Sequence, residues 1–112
     1  MERFVQPCIL LLLREKPSHG YDLMSSLSEF GFGSTADPGL VYRNLRKMEE
    51  DGLVRSSWDT GGPGPAKRLY EVTDEGEDFI HGWATTIRQN VATLQLFLER
   101  YDKEFGKQKE DF

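Results

Sequence analysis

The sequence predicts a mainly α-helical fold with one two-stranded β-hairpin, and two observations support this class. Apolar residues recur at helical spacing on both sides of a short segment with a different composition. That segment, residues 59–66, holds three glycines and two prolines, a composition typical of a hairpin tip. A chain of 112 residues is long enough to bury one hydrophobic core. The predicted order is helix, helix, helix, strand, strand, long helix.

Two short helices are predicted first, over Val5–Glu15 and over residues 19–30. Proline after the first helix ends it, and Ser18 is the expected N-cap of the second. Leu23 and Leu27 place an apolar face on that second helix, together with the adjacent Met24.

A third helix is predicted to begin at Asp37-Pro38 and to end at about Asp51, before Gly52. Asp is a favoured N-cap, and proline suits the first helical position. The residues expected to face the core recur at i, i+4 and i+7: Val41, Leu45 and Met48.

The hairpin strands are expected over residues 53–58 and 67–72, and a long fourth helix follows them. Thr73 is the predicted N-cap of this helix, which reaches about Phe105, while the polar residues after it are expected to fray. The predicted division is a winged helix-turn-helix domain over residues 1–73 and a dimerisation helix with its tail over residues 74–112.

Charge and cysteine content narrow the classes of protein. The net charge is −5, but residues 73–112 hold five basic and nine acidic side chains and so carry most of the excess. This net charge therefore does not exclude a local basic face that binds nucleic acid.

The lone Cys8 excludes an intrachain disulfide, fits a reducing cytoplasm, and is interpreted as a buried small hydrophobe. The apolar stretch over residues 4–13 is too short to cross a membrane, so no membrane partner is expected.

The third helix is the candidate contact with DNA, because the second helix of such a pair commonly enters the major groove. Winding it at 100° per residue brings an aromatic hydroxyl and two guanidinium groups to the side opposite the core. That face consists of Gly39, Tyr42, Arg43 and Arg46, with Lys47 at its edge. The alternative interpretation is a solvated basic helix face.

The hairpin adds a second set of cations. Lys67 and Arg68 follow its tip and are expected to lie beside Arg55 of the preceding strand, where they could bind phosphates. An ordinary mobile loop is the alternative. Ser18 and Pro38, at the starts of the second and third helices, complete the predicted DNA interface.

The fourth helix carries an apolar stripe that repeats every seven residues, which is typical of a dimer interface. A single helix–turn–helix unit reads few base pairs, so pairing two copies would also supply specificity. The alternative is that the helix packs only on its own domain. The stripe consists of Ile80, Ala84, Ile87, Val91, Leu94, Leu98 and Tyr101, and it continues to Phe105.

Catalytic, metal and cofactor sites are not predicted. His19, His81 and Cys8 lack the spacing of metal ligands, and no arrangement indicates an activated nucleophile. The G-x-G-x-x-A pattern at residues 31–36 follows a helix rather than a strand, which argues against a dinucleotide site.

Several motifs together resemble the PadR family of transcriptional regulators. They are His19-Gly-Tyr-Asp-Leu23, Asp37-Pro-Gly-Leu-Val-Tyr-Arg-Asn-Leu45, Glu49-Glu-Asp-Gly-Leu-Val54 and Tyr70-Glu-Val-Thr-Asp-Glu-Gly76. Within the family, Pro7-Cys8 and Trp58-Asp-Thr60 are similar to the poly-β-hydroxybutyrate-responsive repressors.

This resemblance implies a homodimeric winged-helix repressor that binds a palindromic operator. It implies DNA contacts from Tyr21, Gly39, Tyr42 and Arg43, and from the hairpin around Lys67 and Arg68. It also implies release by an effector, either a small molecule or a polyhydroxyalkanoate-related compound. Trp83 beside the apolar stripe is a candidate effector residue, although a core role is the stronger interpretation.

Two other functions stay open at this point. The first is an adaptor that keeps the fold and the dimer but binds a protein, which a hydrophobic third helix would favour. The second is a direct sensor of a small molecule or polymer granule, which an apolar cavity between two chains would favour.

Overall fold

The computed structural model describes residues 4–31 and 38–110. Residues Met1–His81 and Gly82–Phe112 form two compact units, and the last helix contributes to both. The elements are α1 (Val5–Glu15), β1 (Ser18–His19), α2 (Gly20–Leu27), a 3₁₀ turn (Ser28–Phe30), α3 (Pro38–Glu50), β2 (Val54–Asp59), β3 (Lys67–Val72) and α4 (Asp74–Glu110).

The core of the first unit forms where α1, α2 and α3 turn their apolar faces inward against the sheet. Leu23 and Leu27 of α2 are buried as predicted, and Met24 packs against them from the edge. Cys8 lies in this core at 3% exposure, and desolvation raises the pKa of its thiol to about 11. A thiol that stays protonated at neutral pH behaves as a small apolar group, as predicted. The fully buried large side chains are Val5, Ile9, Leu10, Leu13, Leu23, Leu27, Val41, Leu45 and Met48.

Helix α3 has the predicted inner face and the predicted end. Gly52 adopts a left-handed conformation with φ of 79°. Its N–H donates to the Glu49 carbonyl at 3.1 Å, and the Leu53 N–H donates to the Met48 carbonyl at 2.8 Å. These two bonds form a Schellman motif, which glycine favours because it lacks a Cβ. The predicted N-cap, Asp37, lies outside the described residues.

The sheet has three strands, so the prediction of a two-stranded hairpin is incomplete. Strand β1 pairs antiparallel with β3, with Ser18 opposite Tyr70, and the strand order is β1-β3-β2. Ser18 therefore does not cap α2. Its hydroxyl donates to the Lys16 carbonyl at 2.9 Å, and His19 is the residue before the helix. The second helix is also shorter than predicted, because a 3₁₀ turn replaces its last residues and Gly31, with φ of 88°, ends it.

Helix α4 begins at Asp74 with Thr73 as its predicted N-cap, and Thr73 also ties the helix to the residue that ends α3. The Thr73 hydroxyl accepts the Gly76 N–H at 3.1 Å and donates to the Gly52 carbonyl at 2.6 Å. Gly76 is buried, and a Cβ at this position would overlap the Leu53 carbonyl oxygen and lie 2.6 Å from Val72 Cγ2. The first turn of α4 thus packs directly on backbone.

Gly76→Ala is expected to lower the free energy of unfolding by about 1–3 kcal/mol, because the methyl group must displace backbone rather than a flexible side chain. Urea denaturation followed by circular dichroism measures this change. Gly82→Ala in the same helix is the control, since nothing lies within 4 Å of its added Cβ. Equal stability of the Gly76 variant and the wild type would contradict this packing.

The second unit is the remainder of α4. The helix continues to Glu110, whereas the residues after Phe105 were predicted to fray. From Val91 to Phe105 its side chains are exposed, including seven large apolar residues. These are Val91, Leu94, Leu96, Phe97, Leu98, Tyr101 and Phe105. Among the described helices, none has a run of apolar residues sufficient to cross a bilayer.

Candidate nucleic-acid interface

The outer face of α3 presents two guanidinium groups and a phenol to solvent. Val41, Leu45 and Met48 are fully buried, which fixes the rotation of the helix about its axis. Tyr42, Arg43, Arg46 and Lys47 are exposed as a result, while Gly39 near the helix start is half-buried and Pro38 is the first helical residue. Lys47 lies 3.4 Å from Asp51 one turn later, so part of its charge is met within the helix.

The start of α2 lies against this face through a contact that only glycine permits. A Cβ on Gly20 would overlap the Tyr42 ring and lie 2.8 Å from its Cζ. The ring therefore rests on the α2 backbone, and Tyr21 beside it is exposed. This contact orients the Tyr42 hydroxyl relative to the first turn of α2.

His19 connects the start of α2 with the end of β2. Its Nε2 lies 2.9 Å from Asp59 Oδ2, and its Nδ1 lies 3.3 Å from Asp22 Oδ2. The Gly61 N–H donates to the other Asp59 oxygen at 3.1 Å. The Gly61 hydrogen bond, and then that of His19, hold the pKa of the Asp59 carboxyl below its usual range. The base of the hairpin is thus tied to the helix beside it.

The hairpin register corrects the predicted neighbours of its cations. Arg55 lies opposite Glu71 and forms an ion pair with it at 2.6 Å, so it does not lie beside Lys67 and Arg68. Lys67 lies opposite Asp59, and both Lys67 and Arg68 are exposed.

Arg68 lies opposite Trp58, with its Cζ 4.7 Å from the centroid of the indole ring. Its Nη1 donates to the Ser56 hydroxyl at 2.9 Å, and that hydroxyl donates to Glu49 Oε2 at 2.7 Å. A continuous set of contacts therefore runs from α3 to the hairpin.

These elements border one open cleft of about 390 Å³ between the start of α2, α3 and β3. Three tyrosines and two cations contribute to its walls, together with His19 and Asp22. Such a surface offers both phenol hydroxyls and positive charge to a polar, anionic partner. The lining residues are His19, Gly20, Tyr21, Asp22, Tyr42, Lys67, Arg68 and Tyr70.

The stripe residues of α4 divide between the two units. Ile80 packs partly against the core of the first unit. Ala84, Ile87 and Trp83 are half-buried, and the stripe from Val91 onward is exposed. Phe97 was not predicted as part of the stripe, yet its ring stacks on that of Tyr101 with 6.4 Å between the centroids. The ring centroids of Tyr101 and Phe105 are 5.1 Å apart.

Comparison with known proteins identifies the family of these elements. Residues 9–82 match the model of the transcriptional regulator PadR-like family. The negative transcriptional regulator PadR of Bacillus subtilis (strain 168) is 30% identical over 82 residues, which cover 72% of this chain and 45% of that protein. The chain spans less than half the length of the first curated relatives that it matches.

Solved structures share the fold. The crystal structure of TM0937, described as a potential transcriptional factor, has a TM-score of 0.77 and 31% identity over 89% of both chains. The structure of Bacillus subtilis PadR in complex with operator DNA has a TM-score of 0.66 and 29% identity, covering 75% of this chain and 48% of that chain. The family match contains the whole candidate interface, from His19 to Arg68. The chain belongs to the transcriptional regulator PadR-like family.

Proposed function

We propose that this chain is a transcriptional repressor that binds a palindromic operator as a homodimer, with α3 of each copy in the major groove. The observation that carries the proposal is the division of α3 into a fully buried apolar side and an exposed side bearing Tyr42, Arg43 and Arg46. An arginine can donate two hydrogen bonds to guanine O6 and N7 or bind a phosphate. The structure of Bacillus subtilis PadR in complex with operator DNA supports the same use of the fold.

The proposed interface extends to the elements on either side of α3. Tyr21 and the backbone at the start of α2 would approach the duplex, as would Gly39 at the start of α3. Lys67 and Arg68 would bind phosphates beside the groove. We retain Ser18, Pro38 and Lys47 as lesser contacts, because Ser18 hydrogen-bonds its own chain and Lys47 faces Asp51.

The dimer is proposed to form through the exposed stripe of α4. Leu94 and Leu98 are 63% and 54% exposed in the single chain, and the aromatic rings of Phe97, Tyr101 and Phe105 continue their surface. Such a stripe on a lone helix is costly in water, and a second copy would cover it. In this proposal residues 1–73 bind DNA and residues 74–112 dimerise.

Effector release remains a prediction from the resemblance to the poly-β-hydroxybutyrate-responsive repressors. A small molecule or a polyhydroxyalkanoate-related compound would bind near the dimer helices and weaken the DNA complex. Trp83 on α4 is half-buried and stays the candidate contact. The adaptor alternative is less well supported, because the exposed side of α3 is cationic rather than apolar.

Capture of genomic DNA fragments by the purified protein tests the proposal. We expect enrichment of a small set of fragments that share a two-fold symmetric sequence, and tighter binding to them than to competitor duplex at the same salt concentration. Recovery of fragments without any shared sequence would contradict operator binding.

Gly20→Ala is expected to weaken binding to a captured fragment about three- to tenfold, the effect of losing one hydrogen bond. The reason is that the added Cβ must push the Tyr42 ring from its seat, while the exposed ring can move without unfolding the chain. Fluorescence anisotropy measures the affinities of Gly20→Ala, of Tyr42→Ala and of the variant that carries both substitutions. If the two substitutions combined additively, Gly20 would not act through Tyr42.

A further inference from the structure

The wing, defined here as β2, β3 and the loop between them, holds an arginine in an unusual setting. The Arg68 guanidinium lies over the Trp58 ring and donates to the Ser56 hydroxyl, which in turn donates to Glu49 of α3. Trp58 is 62% exposed, far more than an aromatic side chain that serves the core. Its indole face instead supports the guanidinium group.

We infer that Trp58 is a positioning residue that holds the Arg68 guanidinium ready for a phosphate of the DNA backbone, in concert with Ser56 and Glu49. The inference rests on the proposed DNA binding and adds a residue outside the predicted interface. The contact with the indole ring uses no N–H donor, so the donors of the guanidinium other than the one that bonds Ser56 stay available for an oxyanion.

The contrast with Arg55 explains why Arg68 keeps its charge for a partner. Arg55 contacts the Glu71 carboxylate directly at 2.6 Å, which neutralises it within the sheet. Among the described residues Arg68 forms no ion pair, since the Ser56 hydroxyl lies between it and Glu49. The setting restrains the side chain without cancelling its charge.

Restraint matters because an arginine has many rotamers, and ordering it upon binding opposes association. A side chain that already lies on an aromatic ring loses less freedom when it meets the phosphate. Indole gives the strongest cation–π attraction of the aromatic side chains, so phenylalanine would replace it only in part. The link to Glu49 also couples the wing to the helix that carries Arg43 and Arg46.

A double-mutant cycle tests this positioning role. The affinity of wild type, Trp58→Ala, Arg68→Ala and the double variant for a fluorescein-labelled captured duplex is measured over a range of salt concentrations. We expect Arg68→Ala to reduce the magnitude of the negative slope of log K against log salt by about 0.9 per protomer, the value for one phosphate contact. Trp58→Ala should weaken binding about two- to fivefold and should also reduce the magnitude of this slope.

Non-additivity is the diagnostic result. The double variant should bind no more weakly than Arg68→Ala, and Trp58→Phe should recover part of the loss. Lys67→Ala is the matched control, and it should combine additively with Trp58→Ala. Thermal unfolding measures the stability of each variant. If Trp58 had only a structural role, Trp58→Ala would lower stability without changing the salt slope.

Two results would overturn the inference. One is wild-type affinity in Trp58→Ala, and the other is additivity with Arg68→Ala, which would mean that Trp58 touches DNA itself. The proposed function fails separately, if the wild type shows no preference for a captured duplex or if Arg43→Ala binds it unchanged.

Discussion

A chain carrying both Leu94→Asp and Leu98→Asp is expected to be monomeric and to bind its operator at least about a hundredfold more weakly than the wild type. Both leucines lie in the exposed stripe of α4, and pairing would bury them against a second copy. Four carboxylates would then enter one apolar interface without partners, which strongly disfavours association. A monomer can engage only one half-site at a time and loses the gain in effective concentration that linkage gives, about 10²–10⁴-fold.

Light scattering on the purified variant measures the mass, and anisotropy measures the affinity. Leu96→Asp is the control, because Leu96 is also half-exposed but lies on the opposite side of the helix from the stripe. We expect this control to remain dimeric. A dimeric mass for the double variant would show that another surface pairs the chains.

Arg43→Ala is expected to weaken operator binding by about 1–3 kcal/mol for each half-site while leaving the dimer intact. The side chain is exposed on the side of α3 opposite the buried Val41, so its removal leaves no cavity in the core. A bidentate contact to guanine would be lost in each protomer. If Arg43 reads a base, the loss should be larger for the operator than for competitor duplex.

Titration of both duplexes at one salt concentration separates these effects. Arg14→Ala removes the same charge from α1, where Arg14 pairs with Glu77 at 2.6 Å, and should leave the affinity unchanged. Equal losses in the two variants would mean that net charge, rather than the α3 face, governs binding.

Helices of this chain were predictable because their signals are local. Spacing of Val41, Leu45 and Met48 fixed the inward side of α3, and the same rotation exposed Tyr42 and Arg43. The limits of α1 agree with the prediction, and Thr73 and Gly52 act as the expected caps.

Features that depend on distant residues were missed. Strand β1 has two residues, too few for a periodic pattern, and it exists because Ser18 pairs with Tyr70. The Gly/Pro-rich tip left the hairpin register open, so the pairing of Trp58 with Arg68 could not be foreseen. The role of Gly20 could not be predicted either, because it depends on the Tyr42 ring, which only folding brings against it.

Hydroxyl-radical footprinting of the wild-type protein on a captured fragment tests most directly whether two copies of α3 contact one duplex. The account predicts two protected half-sites related by a two-fold axis, with centres about one helical turn, or a whole number of turns, apart. Protection of a single unsymmetrical stretch by a protein of dimeric mass would contradict it.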